Sequence, residues 1–312
     1  MNKREKNLKV DLLAQVGSLS LANPVLTASG CAGHGAELAR YMDLSSLGAV
    51  VTKSVSAEAW AGNAAPRVYE SDAGMINSVG LQNAGAEAWL EEELPPLLAT
   101  GARVVASIWG FTVEAYEKVA TILSGAPEGV VAVEVNVSCP NVEDRRRMFA
   151  HSAAATADVV EASRACGRPL WAKLSPNVTD LVEIAGAALG AGAEAVTLVN
   201  TVMGMAIDPG TRAFRLGGGG GGLSGPAIRP VAVRAVYECR QAFPAAGIVG
   251  VGGVARGEHA AELLVAGADA VQVGTALFRD PRAPARVVRE LRRWCERHGV
   301  ARVADLVGSV RA

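Results

Sequence analysis

The segment Asn136-Val137-Ser138-Cys139-Pro140-Asn141 puts one thiol and two carboxamides directly after the apolar run Gly129-Val130-Val131-Ala132-Val133-Glu134-Val135. A lone cysteine is more often a small buried hydrophobe than a reactive group, because free Cys is among the most buried residue types. Here the neighbours argue for chemistry. Pro140 stops the run by removing a backbone donor, and Asn136 and Asn141 supply donors and acceptors where the chain leaves it. A thiol so placed can accept a proton or attack a carbon.

Two lysines stand in similar positions, Lys53 in Val51-Thr52-Lys53-Ser54 and Lys173 in Trp171-Ala172-Lys173-Leu174-Ser175-Pro176-Asn177. Lysine is almost never fully buried without a partner. Each could form a Schiff base or reach out to water, yet the pair suits stabilisation of an anion. The glycines of Gly250-Val251-Gly252-Gly253 and Gly274-Thr275 permit tight turns, and they also bare backbone amides that can hold a phosphate. Neither has the G-x-G-x-x-G spacing of a dinucleotide site, and the chain has no P-loop lysine motif. A mononucleotide such as FMN is favoured over NAD or ATP, and a cation at the pyrimidine edge of a flavin favours its reduced, anionic ring.

The elements that must position these groups alternate short β-rich runs with longer amphipathic stretches. Eight strands are predicted, at 24–29, 49–55, 103–108, 130–137, 170–174, 195–200, 247–251 and 270–274. Helices are predicted between and after them, at 36–46, 86–98, 113–123, 153–165, 179–190, 227–242, 257–266 and 282–297. Eight strand–helix units predict an α/β protein of the (β/α)8 TIM-barrel type, and residues 10–21, with Gly17-Ser18 at the middle, predict an N-terminal β-hairpin across its floor. Three connections, 56–85, 139–152 and 202–226, are too long for plain βα turns. Each follows a strand, so all three fall on the C-terminal face, where barrels keep their active sites. The run Gly217 to Gly222 reads as a slack surface loop or a lid hinge, poorly ordered without ligand. Arg145-Arg146-Arg147, beside Glu143 and Asp144, reads as a solvated patch.

Composition narrows the class. Of 312 residues half are hydrophobic, 35 are glycine, and the formal net charge is −1. The chain reads as one domain, 1–312. Near-balanced charge with no basic stripe disfavours nucleic acid and acidic membrane surfaces as partners. The charged start, and the lack of a long uninterrupted apolar segment, predict a cytoplasmic protein with no membrane span. Five cysteines, Cys31, Cys139, Cys166, Cys239 and Cys295, lie far apart with no C-x-x-C pair. That argues against disulfides, structural zinc or an iron–sulfur cluster bound by this chain, so no metal is expected.

Taken together, five segments resemble class 1 dihydroorotate dehydrogenase. They are the Asn136–Asn141 segment, Gly74-Met75-Ile76-Asn77-Ser78-Val79-Gly80-Leu81-Gln82-Asn83, Lys173-Leu174-Ser175-Pro176-Asn177-Val178, Gly222-Leu223-Ser224-Gly225-Pro226-Ala227-Ile228 and Val271-Gln272-Val273-Gly274-Thr275-Ala276. Ala28-Ser29-Gly30-Cys31 and Asn200-Thr201-Val202-Met203-Gly204-Met205 look more like the class 1B catalytic subunit than the fumarate-using class 1A enzyme. The resemblance implies an FMN enzyme that oxidises dihydroorotate to orotate in pyrimidine synthesis. It further implies a homodimeric core in a heterotetramer with a subunit carrying FAD and a 2Fe-2S cluster, which passes electrons to NAD.

By the same resemblance Cys139 is the general base that removes a proton from carbon 5 of dihydroorotate while carbon 6 gives hydride to the flavin. A free thiol near pKa ~8.5 needs only modest tuning for that task. Lys53, Asn77, Ser78, Val79, Gly80, Leu81, Asn136, Asn141, Asn200 and Thr201 are implied to hold substrate. Ser29, Lys53, Ser54, Ser107, Asn136, Lys173 and Val199 are implied to line the flavin ring, and Gly225, Gly252, Gly253, Gly274 and Thr275 to take its phosphate. Three places depart from the family pattern: Ser107 stands where an asparagine is common, Val142–Met148 lacks the usual glycines, and Gly62-Asn63-Ala64-Ala65-Pro66-Arg67 replaces Gly-Asn-Pro-x-Pro-Arg. Other readings are a dihydropyrimidine dehydrogenase-like enzyme acting on uracil, a nucleotide dehydrogenase barrel with Cys139 as a nucleophile and NAD, and a non-catalytic phosphate-binding barrel.

Overall fold

The computed structural model describes residues 9–139 and 148–311. An antiparallel hairpin, β1 (Ala14–Val16) and β2 (Leu19–Leu21), comes first and turns at Gly17, whose φ of 55° suits glycine. Barrel strands β3 (Val25–Thr27) and β4 (Val50–Val51) follow, then an excursion of β5 (Val68–Ser71) and β6 (Gly74–Asn77). The barrel resumes with β7 (Val104–Ile108), β8 (Val130–Asn136), β9 (Leu170–Leu174) and β10 (Ala195–Leu198). A second excursion holds β11 (Val202–Met205), β12 (Ile207–Asp208), β13 (Ala213–Phe214) and β14 (Gly220–Ser224), before β15 (Gly247–Val251) and β16 (Ala270–Val273) complete the barrel.

The eight barrel strands form one parallel sheet in the order β3-β16-β15-β10-β9-β8-β7-β4. A parallel bridge from Leu26 to Ala49 closes it. This is the predicted (β/α)8 barrel, with each strand found inside its predicted run. Alternate side chains point into the lumen, where Leu26, Val51, Val105, Ala132, Trp171, Val249 and Ala270 pack against Ala14, Val16, Leu19 and Leu21 of the hairpin. The hairpin therefore plugs the floor. Helices Val113–Leu123, Ala153–Ser163 and Leu181–Gly190 open on side-chain caps at Thr112, Ser152 and Asp180. The predicted stretches at 227–242, 257–266 and 282–297 appear as Arg229–Ala242, Gly257–Ala266 and Ala283–His298.

Two predicted helices differ. Residues 36–46 form two 3-10 turns, Glu37–Arg40 and Leu44–Ser46. The Glu37 carboxylate accepts from the amides of His34 and Gly35, and Asp43 accepts from Ser45, so acidic side chains favour turns over a continuous helix. In 86–98 a π-helical segment, Trp89–Glu93, separates short α-helical pieces. Pro95 and Pro96 remove the donors that a regular helix needs there.

The glycine run is also not a slack loop. Gly220, Gly221 and Gly222 belong to β14, which pairs with β11 on one side and β6 on the other in the sheet β11-β14-β6-β5. A Cβ at Gly221 would meet the Asn77 carbonyl, and one at Gly222 the Thr201 hydroxyl. Close strand approach over the barrel mouth, not slackness, explains these glycines.

Candidate active site

A cavity of about 310 Å³ opens at the C-terminal mouth of the barrel, beneath the four-stranded sheet. Its lining gathers Ser29, Lys53, Ser54, Asn77, Ser78, Val79, Gly80, Leu81, Asn136, Lys173, Val199, Asn200, Thr201, Gly225, Gly252, Gly253, Gly274 and Thr275. These residues, from nine separate stretches of sequence, converge on one cleft. Among the described residues Lys53 and Lys173 are the charged members of the lining, with no carboxylate at its surface. Such a cleft attracts an anion.

At one end carboxamides are fixed by one another. Asn200 donates to Asn136 Oδ1 at 3.0 Å, the Ser138 amide donates to the same oxygen at 3.3 Å, and Asn77 donates to the Gly222 carbonyl at 3.2 Å. Asn63 donates to Ser78 Oγ at 2.9 Å, holding the segment that runs on to Gly80 and Leu81, both at positive φ. These groups offer the mixed donor and acceptor edge that a small cyclic imide carrying a carboxylate requires.

At the other end Gly225, Gly252 and Gly253 take φ of 97°, 145° and 68°. Cβ atoms at Gly252 and Gly253 would come within 2.8 Å of Ala232 Cβ and Arg229 Cβ, so bare backbone is required for the loop to pack on helix Arg229–Ala242. The amides of Gly252, Gly253, Gly274 and Thr275 have no protein acceptor among the described residues. Unpaired amides converging on one end suit a phosphate. With Lys173 also in the lining, the residues present fit a flavin mononucleotide.

Two predicted residues lie elsewhere. Ser107 is fully buried behind the lining, with its hydroxyl 2.8 Å from that of Ser54, so it reaches the cleft through Ser54. Cys139 is 1% exposed and absent from the lining. Its thiol donates to the Asn136 carbonyl at 3.3 Å, and the Tyr116 hydroxyl donates to that same oxygen at 2.7 Å. Burial pushes the thiol up to about 12, against smaller lowering effects of the Tyr116 hydroxyl and the Lys53 ammonium. The expected value near 8.5 therefore does not hold in this conformation. Burial lowers Lys53, partly opposed by the thiols of Cys139 and Cys31. Asn141 and Arg145-Arg146-Arg147 lie outside the described residues.

Sequence reasoning missed several groups. Asn177 donates to Ser175 Oγ and the Thr201 carbonyl, each at 2.9 Å, and accepts from the Met203 amide at 2.8 Å, tying the two rims of the cleft. Its place three residues past strand β9 was a usable signal. Cys31 lines the cleft, and burial pushes its thiol up to about 11. Glu134 and Gln272, wholly buried beneath the cleft, looked like ordinary strand residues.

A parallel barrel whose mouth presents two lysines, clustered carboxamides and unpaired glycine amides has the site of a TIM-barrel enzyme. The family model for dihydroorotate dehydrogenase matches residues 11–294, and the chain belongs to that family. It is an oxidoreductase. A relative from Pelobacter propionicus named dihydroorotate dehydrogenase B (NAD(+)), catalytic subunit, is 45% identical, over 97% of this chain and 99% of the relative. The Trichlorobacter lovleyi protein of the same name is 43% identical over the same shares. A Solibacter usitatus relative with the provisional name dihydroorotate dehydrogenase A (fumarate) is 46% identical, over 96% of this chain and 98% of the relative. Among the described residues no helix is long and apolar enough to cross a membrane.

Proposed function

We propose that this chain is the FMN-binding catalytic subunit of a B-type dihydroorotate dehydrogenase, working as one domain in the cytoplasm in pyrimidine synthesis. The observation that carries the reading is the cleft itself, whose only charged lining groups among the described residues are Lys53 and Lys173, set between fixed carboxamides and unpaired glycine amides. FMN, when bound, supplies the two-electron acceptor for the hydride leaving carbon 6 of dihydroorotate. Gly225, Gly252, Gly253, Gly274 and Thr275 hold its phosphate, and Ser29, Ser54, Lys173 and Val199 face its ring. Asn77, Asn136, Asn200 and Thr201 orient the substrate, with Ser78 to Leu81 laid along it.

Cys139 takes the proton from carbon 5. To do so its sulfur must leave the Asn136 carbonyl and turn into the cleft, giving up that hydrogen bond. Lys53 lowers the thiol's pKa where the structure holds it and so favours ionisation before the turn. The NAD-linked assignment draws on the relatives named for the B type. Electrons then leave through a partner subunit with FAD and a 2Fe-2S cluster, bound to a homodimer of this chain. The fumarate-linked type is the second reading, favoured by the Solibacter usitatus relative.

Purified alone, the chain should be yellow with FMN and should bleach anaerobically with dihydroorotate but not dihydrouracil. Bleaching with dihydrouracil, or no bound flavin, overturns the reading. NAD reduction only on adding the partner supports the B type, and direct turnover with fumarate supports the A type.

A further inference from the structure

The lumen of the barrel changes character one layer above the hairpin plug. Two residues beyond Ala132, Trp171, Ala195 and Ala270, and so on the same inward face, stand Glu134, Lys173, Thr197 and Gln272. Glu134, Thr197 and Gln272 are 0% exposed and Lys173 5%. A carboxylate at such depth needs a cation and full hydrogen bonding. Lys173 Nζ lies 3.6 Å from Glu134 Oε1, and Gln272 Nε2 donates to Glu134 Oε2 at 2.6 Å. In the strand order β16 and β8 are four places apart, so Gln272 reaches Glu134 across the lumen from the opposite wall.

Lys173 carries this arrangement to the cleft. Its ammonium donates to Ser29 Oγ at 3.3 Å, and both residues line the cavity. Glu134 Oε1 has no hydrogen-bond partner among the described residues, so its contact with Lys173 is ionic and the two depend on each other.

We propose that Glu134, braced by Gln272, is a positioning residue that holds the Lys173 ammonium at the floor of the cleft as a fixed charge for the flavin ring. The inference rests on the FMN reading. Held from below by a carboxylate and from the side by Ser29, the ammonium keeps one place and cannot follow the substrate or retreat into solvent. It then stabilises negative charge on the ring without reorganising.

A double-mutant cycle tests it on the purified chain, with two readouts that need no turnover. The first is the affinity of the bound flavin for sulfite, which leaves negative charge on the ring and so reports the cation nearby. Glu134→Gln should weaken sulfite binding about tenfold, Lys173→Met at least as much, and Glu134→Gln should add less than twofold in the Lys173→Met background. The second is thermal unfolding of the FMN-free protein. Each single change leaves one buried group unpaired and should lower Tm by roughly 5–10 °C, whereas the double variant should regain most of that loss.

Unchanged or tighter sulfite binding in Glu134→Gln, or the same loss in both backgrounds, overturns the positioning role. Additive losses of Tm overturn the pairing. A wild-type chain that binds no FMN sinks the cofactor reading instead, and the thermal cycle then decides the pair alone.

Discussion

The sealed thiol makes a quantitative prediction about pH. Cys139 donates to the Asn136 carbonyl in a site that pushes it up to about 12, whereas a base must be ionised before it accepts a proton. At pH 8 a group of that pKa is ionised in roughly one molecule in 10,000, a cost of ~5 kcal/mol at 1.36 kcal/mol per unit. A thiol at the ordinary value of ~8.5 would instead be about one-quarter ionised. If the thiol ionises before it turns toward substrate, the rate of flavin bleaching by saturating dihydroorotate climbs about tenfold per pH unit from 6.5 to 9.5. Anaerobic stopped-flow absorbance measures it in a single turnover, free of the electron acceptor. A plateau beginning below pH 8.5 refutes the reasoning, because the thiol would then ionise outside the site in which the structure holds it. Cys139→Ala should keep its flavin and lose nearly all bleaching, and Cys139→Ser should keep a little; an alanine variant with unchanged rates refutes Cys139 as the base.

Tyr116→Phe removes the hydroxyl that lowers the Cys139 thiol and should move the same profile to higher pH; an unmoved profile counts against that contact. Gly222→Ala drives a Cβ onto Thr201 and should cost about 1–3 kcal/mol in urea unfolding, with a raised KM for dihydroorotate. Arg240 binds Asp269 and the carbonyls of Gly267, Pro244 and Ala246, so Arg240→Ala should lose about 3–5 kcal/mol by the same assay. Cys31, Cys139 and Cys239 stand at about 11, 12 and 12 when folded. Because these folded values lie above the unfolded one, their stabilisation is complete below about pH 8.5 and falls away as pH rises toward 12. The urea midpoint should drop between pH 9 and 10.5, less so in Cys239→Ala.

The fold was legible because its signals are local and repeated. Each barrel strand is a short apolar run, and each regular helix has its own period and, at Thr112, Ser152 and Asp180, its own cap. Where the reading failed, a side chain competed with the backbone, as Glu37 and Asp43 do, or proline withdrew a donor, as in 94–98. Neither is visible to hydrophobic periodicity. The glycine run failed for another reason. Glycine is required both where a chain is slack and where two strands nearly touch, and only the partner, here Asn77 and Thr201, tells which.

The site divides along the same line. Residues that line the cleft were found because they stand at strand ends or in loops, where polar side chains have few structural reasons to be. Cys139 met that criterion, and its chain position is indeed at the mouth, but the direction of its side chain depends on Tyr116, twenty-three residues earlier on a helix, which shares the Asn136 carbonyl with it. Glu134 failed the criterion in the opposite sense. It sits inside the run Val130–Asn136, where one acidic residue among valines reads as an exception to be tolerated. An acidic residue on the inward face of a barrel strand is instead the costliest exception a lumen can hold, and that cost predicts a cation above it. The lysine two positions from Trp171 on the neighbouring strand was the place to look, and the register that sets Asn136 beside Lys173 brings the two charges together.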